Sequence, residues 1–163
     1  MDKFRQLITE KEPKPRDRNI VKKFAYATRV GYYPGKPDKP NQDAYILSPN
    51  IGKKSAEHLF GVADGHGLYG HEVSHFVKVM LPIIFAQRVT EMEDEHANQD
   101  FIKDAYETVH RDIAVSNVTS ADFSGTTLCT LFLKGRNLYA ANTGDSRAIL
   151  ITASKEVFQL TKD

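Results

Sequence analysis

The stretch FGVADGHGLYGHEVS, residues 60–74, contains the point at which the chain changes from strand to helix. Its first residues continue a short apolar run, Leu59–Ala63, which predicts a buried strand. Asp64 and Gly65 follow directly, and this pair is typical of a turn. From Val73 onward the apolar residues adopt helical spacing, so a strand, a turn and a helix are predicted in immediate succession.

Two amphipathic helices are predicted in the middle of the chain. The first has one apolar face, formed by Val73, Phe76, Val77, Met80, Leu81 and Ile84. Pro82 lies inside this pattern and lacks a backbone donor, so we expect a kink or an early end there. Residues 91–99 are acidic and polar and are expected to connect the helices. We expect Asn98 to cap the second helix, whose apolar face contains Phe101, Ala105, Val109 and Ile113.

Strands are predicted on both sides of the helices. Aromatic and β-branched residues indicate one strand over Phe24–Tyr32 and another over Asp43–Leu47. Later segments form two hairpin pairs, 124–133 with 137–142 and 146–152 with 156–160. The order of strands, two helices and strands predicts antiparallel sheet packed against helices, an α+β layered fold.

Composition and charge exclude several classes of protein. The 163 residues include 22 Lys and Arg against 21 Asp and Glu, and the formal net charge of +1 gives no general reason to bind nucleic acid or an anionic membrane. No apolar run approaches the roughly 20 residues that cross a bilayer. Residues 1–23 are charged and lack an apolar signal core, so we expect a flexible leader. These features predict a soluble intracellular protein, cytoplasmic or nuclear.

Three acidic turns are candidates for metal binding: Asn41–Asp43, Asp64–Gly67 and Gly144–Arg147. Each lies at the end or the start of a predicted strand. Hard divalent cations such as Mg²⁺ and Mn²⁺ prefer carboxylates, backbone carbonyls and water. An aspartate in one turn more often caps a helix or closes the turn itself. The combination of three such turns is therefore the signal, rather than any one of them.

Four strings resemble, in order, the type-2C family of metal-dependent serine/threonine protein phosphatases: KPNQDAY, FGVADGHGLYGHEVS, SGTTLCTLFLKGRNLYAANTGDSRAIL and QLTKD. The resemblance covers the chain from Phe24 to Asp163. It implies a layered α/β/β/α sandwich of antiparallel sheets flanked by helices, with a two-metal site between the sheets at one edge. The strands and helices predicted above agree with this fold.

The resemblance also implies roles for individual residues. Asp64 would bridge two Mg²⁺ or Mn²⁺ ions, and Gly65 would offer its backbone carbonyl to one of them. Asp43 would line the site and hold or orient metal-bound water, and Asp145 would serve a further, weaker metal position. His66 would act as general acid for the leaving serine or threonine oxygen. The implied reaction is direct hydrolysis of phosphoproteins by metal-activated water.

Two positions depart from the family's usual pattern. Many members have an arginine shortly before the aspartate that corresponds to Asp43. Here Lys39 or Lys36 would have to meet the substrate phosphate, as a point charge without the bidentate fork of arginine, unless both are solvated loop lysines. Gln42 stands where many members have glutamate. Because an amide is a poor ligand, we expect Gln42 to hold metal water indirectly or not at all.

The resemblance is to the N-terminal half of the family's domain, so we expect residues 24–163 to be a truncated domain. The family also uses aspartates from later Asp-Gly and Asp-Asn turns. One shared aspartate and a carbonyl cannot fix two dications tightly. Phosphoserine and phosphothreonine hydrolysis is therefore expected of the full-length parent. The chain alone is expected to be weakly active or inactive without its missing C-terminal half or a partner segment.

Other functions are also compatible with the sequence. Gln42 and the missing arginine favour a pseudophosphatase or a regulatory fragment that binds phosphoproteins. His71–His75 matches the HExxH pattern of zinc proteases, with a third ligand to be sought among the glutamates of residues 91–95. A thiol phosphatase is disfavoured because Cys129 lies in mid-strand among apolar neighbours.

Overall fold

The computed structural model describes residues 20–32, 34–35, 38–51, 56–88, 95–116 and 123–163. The leader predicted for residues 1–23 lies outside the described residues as far as residue 19. The elements in chain order are β1 (Asp43–Pro49), β2 (Glu57–His66), α1 (Gly70–Arg88), α2 (Glu95–Val115), β3 (Gly125–Thr126), β4 (Leu128–Lys134), β5 (Asn137–Thr143), β6 (Ile149–Ile151) and β7 (Val157–Gln159). The predicted α+β class is confirmed.

The main sheet is antiparallel, with the order β1-β2-β4-β5 and β3 paired with the end of β2. In the β1–β2 register Asp43 lies opposite Asp64. In the β2–β3 register Gly65 lies opposite Thr126, and His66 lies opposite Gly125. The start of β1 and the end of β2 therefore meet at one edge of the sheet, together with the residues that precede β4.

Both helices pack on one face of this sheet. Alternate strand residues point to that face, because successive side chains of a strand point to opposite sides. The buried core contains Ala44, Ile46, Leu59, Leu128 and Phe132 from the strands and Val77, Leu81, Phe85, Phe101 and Val109 from the helices. Neither described helix is both long enough and apolar enough to span a membrane. This packing holds the first turn of α1 next to the end of β2.

The opposite face of the sheet contacts the segment that precedes β1. The Phe24 ring lies 5.7 Å from that of Phe60, and the Tyr26 ring stacks on Tyr45 at 4.2 Å. The β6–β7 hairpin forms a separate two-stranded sheet. Its root, at Ala148 and Ile149, lines a cavity of about 510 Å³ together with residues of this face. Aromatic contacts and a hairpin root therefore occupy part of the second face.

Three local predictions are wrong. Residues 24–32 do not form a strand, because their backbone pairs with no strand among the described residues. Asn98 does not cap α2, which begins at Glu95 within the predicted connection; the buried Asn98 amide donates instead to the hydroxyl of Tyr139 at 2.7 Å. Of the kink or early end expected at Pro82, the early end is wrong, because the first helix continues to Arg88.

Candidate functional site

The site is centred on Asp43 and Asp64, which the antiparallel register places side by side. Their carboxyl groups lie close enough for the charge of one to act on the other. Partial burial raises the pKa of Asp43, and the neighbouring Asp64 charge raises it further. Lys39 acts in the opposite direction, so its ammonium lies close enough to influence the pair. The two carboxyl groups and the ammonium group of Lys39 thus lie near one edge of the sheet.

Gly65 turns the chain where space for a side chain is absent. A methyl group on Gly65 would lie 2.6 Å from the Gln42 carbonyl oxygen and would overlap the Gly70 carbonyl. The Gly65 N–H donates to that same Gln42 oxygen at 3.1 Å, and the hydroxyl of Ser74 donates to it at 2.6 Å. The backbone of β1, the turn and α1 therefore pack directly against one another beside Asp64.

Gln42 stabilises the same turn through its side chain. Its amide Nε2 donates to the carbonyl of Gly67 at 2.6 Å. Gly67 has φ of +83°, a conformation that favours glycine, and a methyl group there would overlap the carbonyl of Phe123. A carboxylate could not make the Gln42 bond, because it has no proton to donate. The amide is therefore suited to holding this turn closed.

His66 lies at the end of β2 and is exposed. Its ring occupies the space that a side chain on Gly125 would need, with Nε2 2.7 Å from the position of such a methyl group. The imidazole therefore rests on the Gly125 backbone, and its edge is open to solvent.

Asp145 lies in the exposed turn after β5, and its neighbour Ser146 connects this turn through Thr127 to the backbone of Asp64. The Asp64 N–H donates to Thr127 Oγ1 at 2.9 Å, and that hydroxyl lies 2.6 Å from Ser146 Oγ. The Arg147 guanidinium pairs with Asp163 at 2.5 Å, which joins this turn to the last residues of the chain. Thr127 thus joins the two acidic turns, a connection that sequence reasoning missed.

The three predicted metal-binding aspartates do not form one cluster. Across the part of the chain that the structure describes, no group of three or more His, Cys, Asp or Glu side chains could hold a metal ion. Asp43 and Asp64 are brought together, whereas Asp145 is reached only through Thr127 and Ser146. The pair is therefore the centre of the site, with Asp145 at its periphery.

A cavity of about 660 Å³ opens beside the turn. Its lining includes Asp38, Lys39, Gln42, Gly67 and Leu68. Lys36, the other lysine considered for phosphate binding, lies outside the described residues. Of the two lysines, Lys39 is therefore the one that the structure describes. It lines the cavity and acts on the carboxyl group of Asp43.

The HExxH segment forms a different surface. His71, Glu72 and His75 line a groove of about 640 Å³ along α1. His71 Nε2 lies 3.9 Å from Glu72 Oε1, and no third ligand completes a metal cluster among the described residues. Cys129 is buried, and burial raises the pKa of its thiol. The glutamates of residues 91–95, considered as a third zinc ligand, lie outside the residues whose side chains the structure describes. The buried Cys129 thiol does not favour a thiol phosphatase.

Comparison with known proteins finds relatives that match most of the chain. Residues 35–163 match the family model described as Protein phosphatase 2C. The chain is 36% identical over 127 residues to "Probable protein phosphatase 2C 35" of Arabidopsis thaliana, covering 78% of this chain and 35% of that protein. It is 30% identical over 161 residues to "Probable protein phosphatase 2C 14" of rice, covering 76% of this chain and 31% of that protein. The chain thus spans about a third of the length of these relatives.

Solved structures share the fold. A variant of a bacterial serine phosphatase superposes with a TM-score of 0.64 at 23% identity, covering 79% of this chain and 57% of that one. The serine/threonine phosphatase of Mycobacterium smegmatis, solved with cacodylate, has a TM-score of 0.54 at 26% identity, covering 77% and 48%.

Proposed function

Because this chain belongs to the protein phosphatase 2C family, we propose that it contributes to hydrolysis of phosphoserine and phosphothreonine in proteins, with Mg²⁺ or Mn²⁺ as cofactor. The observation that carries the proposal is the pair of carboxyl groups on Asp43 and Asp64, which face one another beside a cavity that contains Lys39. Residues 24–163 would form the part of a phosphatase domain that supplies this pair.

The donor groups fit a hard divalent cation. Two carboxylates in such close contact repel one another, and a cation between them would remove that repulsion. The side chains of Asp43 and Asp64 are both exposed. Because Gly65 has no side chain, its backbone can pack closely beside Asp64. Two carboxylates and one carbonyl fill less than a six-oxygen shell, so we expect these residues alone to bind a cation weakly.

Each metal-binding residue would have a separate task. Bound cations would supply an activated water and neutralise charge on the phosphoryl oxygens. Asp64 and the Gly65 carbonyl would hold the cations, and Asp43 would hold or orient water. Asp145 would serve a further, weaker position, and its connection through Thr127 to the Asp64 backbone supports this role.

His66 and Lys39 would act on the substrate. An imidazole at the turn would donate a proton to the serine or threonine oxygen as it leaves. Its exposed edge and its support by the Gly125 backbone favour this role. Lys39 would bind the phosphate as a single positive charge. Its place in the lining of the cavity beside the turn supports this role.

Phosphate release from a phosphothreonine peptide, with and without Mn²⁺, tests the proposal. We expect release to depend on Mn²⁺, to be slow, and to be lost in Asp64→Asn together with Mn²⁺ binding measured by calorimetry. Asp100→Asn is the matched control, because Asp100 is exposed on α2 away from the turn. Unchanged Mn²⁺ affinity in Asp64→Asn would show that this carboxylate does not hold the cation.

One observation favours a second candidate, a non-catalytic module that binds phosphoproteins. Gln42 uses its amide to hold the turn, so no second carboxylate stands next to Asp43 at this position, whereas Lys39 remains available for phosphate. Phosphopeptide binding that needs Lys39, persists without Mn²⁺ and gives no phosphate release would favour this candidate over hydrolysis.

A further inference from the structure

Two large apolar side chains are exposed beside the turn that follows Asp64. Leu68 is 73% exposed, and Phe123 is 89% exposed. Leu68 lines the same cavity as Lys39 and Gln42. The backbone of Phe123 lies against Gly67 in the same turn. A single exposed apolar residue is ordinary, but two of them at one candidate active-site turn need an explanation.

Hydrogen bonds fix the backbone that presents these side chains. The Gly67 carbonyl accepts from the Gln42 amide at 2.6 Å, and the Tyr69 N–H donates to Ser124 Oγ at 3.0 Å. The Tyr69 carbonyl in turn accepts the N–H of Glu72 in the first turn of α1. Leu68 therefore lies between two anchored residues, and its exposure does not result from an unconstrained loop.

The cavity beside the turn combines a positive charge with apolar area. Lys39 and Leu68 both line it, together with the acidic Asp38. Lys39 can attract the phosphate itself, and Leu68 offers apolar area that gains free energy when it is covered.

We propose that Leu68 and Phe123 contact apolar side chains on either side of the phosphorylated residue, so that the preferred substrates are phosphopeptides with apolar flanks. This inference rests on the proposed function, because it places the phosphorylated residue at the Asp43–Asp64 pair. Lys39 and Leu68 line one cavity, so a phosphate and the apolar residue next to it can occupy that cavity together. Because the backbone at Leu68 is already held in place, little conformational entropy is lost when the peptide binds.

Fluorescence anisotropy with two labelled phosphothreonine peptides tests the inference in the presence of Mn²⁺. One peptide has leucine on both sides of the phosphothreonine, and the other has serine at both positions. We expect the leucine peptide to bind about tenfold more tightly, as the partial burial of two apolar contacts predicts. In the double variant Leu68→Ser, Phe123→Ser we expect the ratio of the two dissociation constants to fall close to one.

Val115→Ser is the matched control, because Val115 is 77% exposed at the end of α2 and lies far along the chain from the turn. It should keep the full preference for leucine. Equal binding of the two peptides by the unmodified chain would overturn the apolar contact, and so would a preference that survives in the double variant. Failure of both peptides to bind at any Mn²⁺ concentration would instead overturn the proposed function on which the contact depends.

Discussion

Replacing Gly65 with alanine tests the close packing on which the site depends. The added methyl group would lie 2.6 Å from the Gln42 carbonyl oxygen and nearer still to that of Gly70. Both obstacles are backbone atoms, so no side chain can rotate away and the turn itself must move. The φ of Gly65 is not positive, so the cost is steric and not conformational.

The expected size follows from two opposing effects. Overpacking of this kind costs about 1–3 kcal/mol. Against this, alanine restricts the unfolded chain more than glycine does, which returns about 0.4–1 kcal/mol. Because the added methyl group meets backbone atoms, we expect an overpacking cost in the upper part of its range. The free energy of unfolding should therefore fall by a net amount of about 2 kcal/mol. For a chain of this length that loss lowers Tm by about 4–8 °C.

Thermal unfolding followed by circular dichroism measures the effect, with Gly31→Ala as control. A methyl group on Gly31 meets nothing within 4 Å, so the gain of about 0.4–1 kcal/mol is unopposed and this variant should melt about 1–4 °C above the unmodified protein. We also expect Mn²⁺ to raise the Tm of Gly65→Ala less than that of the unmodified protein, because the Asp64 turn has moved. A Gly65→Ala protein that melts with the control would refute the packing argument.

Three further predictions concern the turn after Asp64, the ionisable side chains of Cys129 and Tyr106, and the hydrophobic core. Gln42→Met should lower the free energy of unfolding by about 1 kcal/mol, and Gln42→Glu by more, because a carboxylate would face the Gly67 carbonyl oxygen; equal urea midpoints for these variants and the unmodified protein would contradict the bond. Burial raises the pKa of Cys129 and of Tyr106, so the unfolded chain loses these protons first and stability should fall as pH rises above about 9. Urea titrations across alkaline pH measure that slope, which should be shallower in Cys129→Ala and in Tyr106→Phe. Phe85→Ala should cost about 3–5 kcal/mol, because the ring is 0% exposed and packs against two other rings; a loss under about 1 kcal/mol would contradict its place in the core.

Local periodicity predicted most of the elements. Both helices and both C-terminal hairpins are present, because their patterns depend on residues a few positions apart. The strand predicted for 24–32 is absent because a strand also needs a backbone partner, which alternating aromatic residues cannot specify. The Asn98 cap failed because α2 begins earlier, at Glu95, so that Asn98 lies inside its first turn. Pro82 did not end α1, since buried Leu81, Ile84 and Phe85 hold the helix to the sheet on both sides.

The proximity of Asp43 and Asp64 was accessible from the sequence, because both were predicted at strand ends within one sheet. The bonds that shape the site were not accessible. The Gln42–Gly67 bond spans 25 residues, and the Asp64–Thr127 bond spans 63. Each joins a side chain to a backbone group, and neither leaves a periodic signal. The bond to Gly67 gives Gln42 a structural task that the expectation, holding metal water indirectly or not at all, did not include.

The hydroxyl of Thr127 takes the place of a backbone carbonyl, since it accepts the N–H of Asp64 while Ser146 lies on its other side. Only serine or threonine can do this without shifting the strand. The hydroxyl of Thr126 reaches no further than the next carbonyl along the chain, so it has no comparable task. Natural sequence variation should therefore alternate between serine and threonine at position 127, and should tolerate a wider set of residues at position 126.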